Sequence, residues 1–289
     1  MQEFDKHVRD TLRQRIEPLE QHFEADCIFY FGHIYPSLER YFREFIEDLK
    51  SDDRAREKLV IFLNSPGGSA ETVEKLVEII RHHYSDISFV VPDQAMSAGT
   101  IFCMAGDRIY MDYSSSLGPI DPQVFNGKEW VPALGYLDQV ERLIEKSRNN
   151  QLTEAELMIL QNQDLALLSQ FEQAKNLTIT LLKRWLVEYK FKDWSHHQTS
   201  QEKKGQPVTK EEKKQRAQEI AQTLSDHRIW HSHGRLISAK TLTDFLRLKI
   251  EDYSGNKELQ NKIRCYNDFL TEYIRRHGHT TFFHNRRYF

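Results

Sequence analysis

Cysteine is scarce in this sequence, which excludes a protein held together by disulfides. The 289 residues include three cysteines, Cys27, Cys103 and Cys265, too few and too widely spaced for a disulfide framework or a paired-cysteine metal site. We therefore expect buried, reduced thiols in a cytoplasmic protein.

Long apolar runs are also missing. The first twenty-one residues are charged throughout and lack the apolar stretch of a secretory signal. No later segment reaches the roughly 18 uninterrupted apolar residues that a membrane-spanning helix needs. We therefore expect a protein without a membrane anchor.

Neither sign of charge dominates. Lys and Arg number 40 against 43 Asp and Glu, giving a net charge of -3. Such a balance creates no overall field that would attract nucleic acid or an anionic membrane, and neither is expected as a partner. The phosphate-binding motif GxxxxGK[ST] is absent too, so an unfoldase would have to be a separate ATPase or adaptor. We expect no cofactor and no metal.

What the sequence does contain is an alternation of strand and helix patterns, which predicts an α/β fold. Short apolar runs at 27–31, 59–63, 87–91 and 108–111 predict strands, and apolar residues three and four apart predict helices between them at 36–49, 70–83 and 97–105. The alternation favours parallel pairing, because parallel strands need crossover connections. Helical patterns continue at 134–146, 153–168, 171–189, 211–224, 239–248 and 257–275. The opening residues predict a polar helix that Pro18 interrupts.

Two glycine-containing turns follow strands at a separation that indicates a catalytic site. Gly68 and Ser97 are 29 residues apart, enough for one helix and one strand, so both turns should lie at the carboxyl edge of the sheet. Gly67 and Gly68 allow backbone to approach a substrate carbonyl, while Ser97 begins a helix whose free amides favour negative charge. Each feature alone is typical of an ordinary turn or helix cap. Together they predict a serine nucleophile facing an oxyanion site.

Three segments resemble the serine dehydrogenase proteinase family, whose relatives include signal peptide peptidase A and the Clp protease proteolytic subunit. They are Leu63-Asn64-Ser65-Pro66-Gly67-Gly68-Ser69, Met96-Ser97-Ala98-Gly99-Thr100 and Ser115-Ser116-Leu117-Gly118-Pro119-Ile120-Asp121-Pro122. The resemblance implies a ClpP/crotonase-like core of repeated β-β-α units in a superhelix, with an extended helical C-terminal region. We expect an N-terminal helical arm over 1–24, a catalytic domain over 25–190 and the helical region over 191–289.

The same resemblance implies Ser97 as nucleophile and the amides of Gly68 and Ala98 as the oxyanion hole. We assign Gly67 and Ser116 to substrate binding, because Ser116 ends a serine run that could line a groove by strand addition.

The general base is less directly indicated. In Clp subunits a histidine follows the strand after the nucleophile helix, but this chain has no histidine from Tyr84 to Ser195. Relatives of signal peptide peptidase A use a lysine before a Leu/Met-Thr-x-x-Glu helix start, and Lys146 stands in that position, which implies a Ser-Lys dyad. Such a lysine must be desolvated to accept a proton. His231 and His233 are the alternatives, as base or as metal ligands, reaching the site from a neighbouring subunit or a folded-back C-terminal region.

These features predict a serine endopeptidase that cuts polypeptides as a homo-oligomer. Two other functions fit the same fold: a crotonase-type acyl-CoA enzyme, which uses the oxyanion geometry without a nucleophilic serine, and a catalytically silent binding module. The tail over 279–289, rich in Phe, Tyr and Arg, is expected either to dock on a neighbouring subunit or to fray.

Overall fold

The computed structural model describes residues 2–125, 130–198 and 202–288. Its strands are β1 (Asp26–Gly32), β2 (Lys58–Asn64), β3 (Asp86–Val90), β4 (Gln94–Ala95), β5 (Arg108–Met111), β6 (Ser116–Leu117), β7 (Gln123–Phe125), β8 (Trp130–Pro132), β9 (Ile237–Ser238), β10 (Glu251–Asp252) and β11 (Thr281–His284). Its helices are α1 (Gln2–Phe23), α2 (Glu39–Lys50), α3 (Ala70–His83), α4 (Ala98–Met104), α5 (Ala133–Arg148), α6 (Glu154–Gln161), α7 (Leu165–Trp185), α8 (Lys210–Ser225), α9 (His227–Trp230), α10 (Ala239–Asp244) and α11 (Lys257–His277).

The main sheet has six strands in the order β10-β5-β3-β2-β1-β11. Neighbours from β10 to β1 run parallel, and β11 pairs antiparallel with β1 at the edge. A second, three-stranded sheet has the order β4-β6-β9, and β7 pairs with β8. The predicted α/β class and the parallel pairing are confirmed, whereas the superhelical repeat stays a prediction.

Strand β2 is buried on both faces, as a central parallel strand must be. Its side chains alternate between two cores because successive residues of a strand point to opposite faces. Leu59, Ile61 and Leu63 pack in a core with α2, α3, α4, α7 and α8. Val60 and Phe62 pack in a second core with α1 and α11.

Helix α1 is continuous through Pro18, so the predicted interruption is wrong. A proline inside a helix removes one backbone hydrogen bond. Here an apolar stripe that includes Leu12, Ile16 and Leu19 is fully buried against the second core, and α1 packs along α11. Burial of this stripe outweighs the lost hydrogen bond.

The tail does not fray over 281–288, so that prediction is wrong, whereas docking on a neighbouring subunit stays a prediction. Strand β11 pairs with β1 of the same chain, with Phe29 opposite His284. Beyond it Arg286, only 1% exposed, donates to Glu20 at 2.8 Å and to Asp26 at 2.7 Å. The tail is therefore an integral part of the fold.

Smaller differences concern the helical half and the thiols. Helix α7 runs unbroken into a π-helical turn at Leu186–Lys190, and the helix predicted at 239–248 stops at Asp244. Cys27 and Cys103 are buried as expected, but Cys265 is exposed on α11. Among the described helices, none combines the length and apolar character needed to cross a membrane.

Candidate active site

The two glycine-containing turns meet at one edge of the main sheet. Just beyond β2, the Ser65 amide donates to the carbonyl of Gln94 at 3.0 Å. The Met96 amide donates back to the Ser65 carbonyl at 2.9 Å. These two bonds extend the pairing past the end of β2, so the Pro-Gly-Gly bend and the Ser97 turn run side by side, as predicted.

Gly67 lies directly against Ser97. A Cβ placed on Gly67 would come within 2.9 Å of the Ser97 Cβ and 3.0 Å of the Met96 carbonyl oxygen. The Gly67 φ angle of +110° is also unfavourable for any residue with a side chain. Glycine is therefore required here for the bend to approach the serine.

The backbone of Ser97 is strained. Its φ of 51° and ψ of -116° lie outside the regions that non-glycine residues normally adopt. Ser97 occupies the N-cap position of α4, yet its side chain makes no capping hydrogen bond. Ser69, in contrast, caps α3 by accepting from the Thr72 amide at 3.0 Å. The half-buried Ser97 is thus not used as a helix cap, in contrast to Ser69.

The backbone amides of Gly68 and Ala98 have no acceptor among the described residues. Ala98 is the first residue of α4, where the amide has no partner within the helix. The neighbouring Gly67 amide is occupied, because it donates to the Ser65 hydroxyl at 3.1 Å. The free pair is the one that the resemblance implies for an oxyanion hole.

A third segment closes the site from the side of β6. The Gly118 amide donates to the Thr100 hydroxyl at 2.9 Å, and that hydroxyl donates to the Ala95 carbonyl at 2.8 Å. Ser116 lies in the middle strand of the small sheet, paired with both β4 and β9. Its backbone has no free edge there, so the predicted contact with substrate would have to come from its largely buried side chain.

A histidine and a carboxylate pair close to this third segment. The His233 Nδ1 lies 2.8 Å from the Asp121 Oδ1, and the Asp121 side chain is only 2% exposed. The second oxygen of Asp121 accepts from the Gln123 side chain at 2.9 Å. Asp121 is three residues beyond Gly118, a stretch that spans at most about 10 Å, and Gly118 packs against Met96.

The chain folds back to make this pair because α8 and α9 lead His233 toward the segment that holds Asp121. The Ile120 amide donates to the Leu224 carbonyl at 3.0 Å, which ties that segment to the end of α8. Sequence reasoning assigned no role to Asp121. Its partner is 112 residues away, so no local spacing could have indicated it.

Lys146 lies in the last turn of α5 and is ion-paired. Its Nζ donates to the Glu156 carboxylate at 2.6 Å, and its side chain is 41% exposed. Glu156 also accepts from the Thr153 amide at 3.0 Å in a capping box that begins α6. The hydrogen bond from Lys146 lowers the pKa of Glu156 to about 2. The Thr-x-x-Glu pattern thus has a structural explanation as a helix cap.

His231, the other histidine considered as a base, ends α9 in the left-handed conformation with a φ of 62°. Its side chain is exposed. No cluster of three or more metal-ligating side chains occurs in the described parts of the chain.

Comparisons with known proteins identify a family. A sequence model of the ClpP-like SDH-type serine proteinase family matches residues 44–233. Two uncharacterized proteins of Methanocaldococcus jannaschii are 34% identical over 64 residues and 31% identical over 86 residues. These stretches cover 22% and 30% of this chain and only 22% and 28% of the relatives' own lengths.

Among solved structures, the chain is similar to a serine-to-alanine variant of the 1510-N membrane-bound stomatin-specific protease, with a TM-score of 0.45, 14% identity and coverage of 82% of this chain and 81% of that one. It is also similar to a lysine-to-alanine variant of the same protease bound to a substrate peptide. That match has a TM-score of 0.36, 20% identity and coverage of 56% and 57%.

Proposed function

The chain belongs to the family of ClpP-like SDH-type serine proteinases, and from this premise we propose that it is an endopeptidase whose nucleophile is Ser97. The observation that supports the proposal best is the strained Ser97 backbone packed against Gly67, with a hydroxyl that caps no helix. Strain of this kind persists where the surrounding structure holds a residue for function.

In the proposed reaction the Ser97 hydroxyl attacks the carbonyl carbon of a peptide bond. The developing oxyanion would accept hydrogen bonds from the amides of Gly68 and Ala98, which have no acceptor among the described residues. The N-terminus of α4 adds a favourable field for negative charge. The C–N bond of the tetrahedral intermediate then breaks, and the amine leaves with the proton that the base accepted from Ser97. Water gives a proton to the same base, attacks the acyl-serine ester and releases a carboxylic acid and the free Ser97 hydroxyl.

We propose His233 as the general base, held by Asp121. A carboxylate bound to Nδ1 fixes the imidazole so that Nε2 can take the serine proton, and it stabilises the imidazolium that forms. The buried Asp121, fixed on its other oxygen by Gln123, suits this role. Lys146 fits the role less well, because its side chain is partly exposed and its amine is held by the Glu156 carboxylate.

Labelling with a fluorophosphonate probe tests the nucleophile and the base together. The wild-type protein should label once per chain, and Ser97→Ala should abolish labelling. His233→Gln should slow labelling by about 100-fold or more, because the base contributes about that much.

Two matched variants separate the candidate bases. His231→Asn should label like wild type, since asparagine tolerates the left-handed backbone at that position. Lys146→Gln should also label like wild type if the lysine only pairs with Glu156, which belongs to the capping box of α6. Loss of labelling in Lys146→Gln with normal labelling in His233→Gln would restore the Ser-Lys dyad.

The two other functions remain distinguishable by the same probe. A crotonase-type acyl-CoA enzyme would hydrolyse or isomerise thioesters with Ser97→Ala still active. A silent binding module would neither label nor turn over either substrate. Labelling that depends on Ser97 and His233 contradicts both.

A polypeptide substrate and self-association are part of the same proposal. Helix α6 exposes Leu157, Met158 and Ile159, and none of its residues is buried within the chain. We propose that contact with other copies covers this helix, and that folded substrates need a separate ATPase or adaptor. Light scattering should give a multiple of the chain mass, and Met158→Glu should lower it.

A further inference from the structure

A buried asparagine of helix α11 contacts the carboxyl edge of the main sheet. Asn267, 2% exposed, accepts from the Asn64 side-chain amide at 2.6 Å and donates to the Asp93 carboxylate at 3.0 Å. The Asp93 backbone amide in turn donates to the Asn64 side-chain oxygen at 3.2 Å. The three residues form a closed ring of hydrogen bonds.

Each residue that Asn267 holds stands immediately before one of the site loops. Asn64 is the last residue of β2 and precedes Ser65, and Asp93 precedes Gln94, the start of β4. Ser65 and Gln94 are themselves joined by a backbone hydrogen bond of 3.0 Å. The Asp93 carbonyl also accepts from the Ser116 amide at 2.9 Å. Asn267 therefore forms hydrogen bonds at the start of both loops that bring Gly67 against Ser97.

We propose that Asn267 is a positioning residue that sets the spacing between the Gly67–Gly68 bend and Ser97. It lies outside residues 44–233, so the alignment of the site depends on a helix beyond the matched family segment. This inference rests on the proposed function of Ser97 for its catalytic meaning. The hydrogen bonds of Asn267 with Asn64 and Asp93, which we call the clamp, are present whether or not Ser97 reacts.

Other contacts of α11 support the same role for the helix. Gln260 donates to the Asp112 carboxylate at 3.0 Å, and Arg264 donates to the same oxygen at 2.6 Å. Asp112 directly follows β5. Helix α11 thus contacts residues at or just beyond the ends of β2, β3 and β5. Gly68 lies in the loop that follows β2, and Ser97 lies in the loop that follows β4.

The effect on reactivity follows from distance. An oxyanion hole works only when its donors lie within hydrogen-bond distance of the reacting oxygen. A displacement of about 1 Å in such a site can reduce the rate by about 100-fold. Releasing the clamp should therefore reduce the reactivity of Ser97 without removing any group that touches the substrate.

Asn267→Asp is the test variant, with Asn261→Asp as its control. The substitution keeps the shape and the acceptor for Asn64, but it replaces the donor to Asp93 by a second carboxylate. Asn261 is exposed on the same helix, so the same change there adds the same charge without touching the loops. In the double variant Asp93→Asn, Asn267→Asp, amide and carboxylate exchange places and the hydrogen bond can re-form.

We expect the rate of fluorophosphonate labelling to fall about 10- to 100-fold in Asn267→Asp and to stay at the wild-type rate in Asn261→Asp. The double variant should recover to within about threefold of wild type. Recovery in the double variant would assign the loss to the contact between positions 93 and 267. Labelling of Asn267→Asp at the wild-type rate, or a double variant as slow as the single one, would overturn the proposal.

Hydrogen exchange separates failure of the clamp from failure of the proposed function. The amides of Ser65 and Met96, which pair the two loops, should exchange at least about tenfold faster in Asn267→Asp and recover in the double variant. This readout needs no catalysis. If wild-type Ser97 does not label at all, the nucleophile proposal fails, and the exchange rates alone decide whether Asn267 holds the loops. Unchanged exchange in Asn267→Asp would refute the clamp even if Ser97 is reactive.

Discussion

The strained backbone conformation of Ser97 lowers the free energy of unfolding of the protein. A non-glycine residue in a sparsely populated conformation destabilises a protein by roughly 1–3 kcal/mol. The backbone hydrogen bonds of Ser65 with Gln94 and Met96, and the close packing of Gly67, hold Ser97 in this conformation. The residue is thus retained at a stability cost that a merely structural serine would not require.

Replacing Ser97 by glycine should therefore relieve the strain and remove the proposed nucleophile. We expect Ser97→Gly to raise the free energy of unfolding by about 1 kcal/mol relative to Ser97→Ala, because both lack the hydroxyl but only glycine accepts the positive φ without strain. Urea denaturation measures the difference. Equal stability of the two variants would contradict the strain.

The sequence was informative about single residues where the signal is local. The pairing of the Pro-Gly-Gly bend with Ser97 followed from strand length and glycine positions, and the structure confirms that the turns meet. The contact between His233 and Asp121 could not be predicted, because it joins segments 112 residues apart through the path of α8 and α9. Asn267 left no signal either, since a buried asparagine on a helix has no distinctive pattern.

At the scale of elements, the bend between β2 and α3 is fixed by contacts that leave no room for a side chain. A Cβ on Gly68 would lie 2.1 Å from the carbonyl oxygen of Ile34. The Ile34 amide donates to the Gly67 carbonyl at 2.9 Å, and the Ser69 amide donates to the Ile34 carbonyl at 2.9 Å. The segment after β1 thus supports the bend from the side opposite Ser97.

Gly68→Ala should displace this bend. The added methyl would clash with backbone, which cannot rotate away, so we expect a loss of more than about 2 kcal/mol of stability and much slower labelling of Ser97. Gly135→Ala is the control, because nothing lies within 4 Å of a Cβ at Gly135. That change, in helix α5, should be neutral or stabilising by up to about 1 kcal/mol. Thermal unfolding and the labelling rate decide between these outcomes.

Elements were predictable where apolar periodicity is strong. The early strands and helices follow their patterns closely, since central parallel strands are apolar on both faces. Helix α1 shows the limit of local rules, because burial of its apolar stripe against α11 overrides the proline. The tail could not be predicted as a strand of the main sheet, because its partner β1 lies about 250 residues earlier.

At the scale of the whole molecule, a buried charge cluster fastens the tail to the rest of the chain. Arg286 is held by Glu20, Asp26 and Asp52 at distances of 2.7 to 3.1 Å. Arg287, next to it, pairs with Asp48 at the surface at 2.9 Å. Adjacent arginines thus provide a buried and an exposed ion pair for comparison.

Arg286→Met should destabilise the protein by about 3–5 kcal/mol, because it removes the cation that Glu20 and Asp26 share in the buried cluster. Arg287→Met should cost at most about 1 kcal/mol, as expected for an exposed pair. Urea denaturation at neutral pH measures both. Similar losses in the two variants would show that the buried cluster contributes little.

Stability should fall on acidification because of one buried histidine. Burial lowers the pKa of His284 to about 3, from its ordinary value of 6.5. Below pH 6.5 the unfolded chain takes up a proton that the folded chain excludes, so the free energy of unfolding should drop by up to about 1.4 kcal/mol per pH unit until pH approaches 3. Denaturation at pH 7, 6 and 5 tests this. His284→Phe should flatten the dependence, whereas His279→Gln, an exposed control, should leave it unchanged.

Strand β1 pairs with β11 and helix α1 packs against α11, so segments near residue 20 are bound to segments near residue 280. A single cut in an exposed connection between them would give two fragments. One fragment would carry α1 and β1, and the other would carry α11 and β11. The nicked protein should therefore travel as one particle of full mass in solution while separating into two bands on a denaturing gel. Self-cleavage at such a connection would leave the assembled enzyme intact.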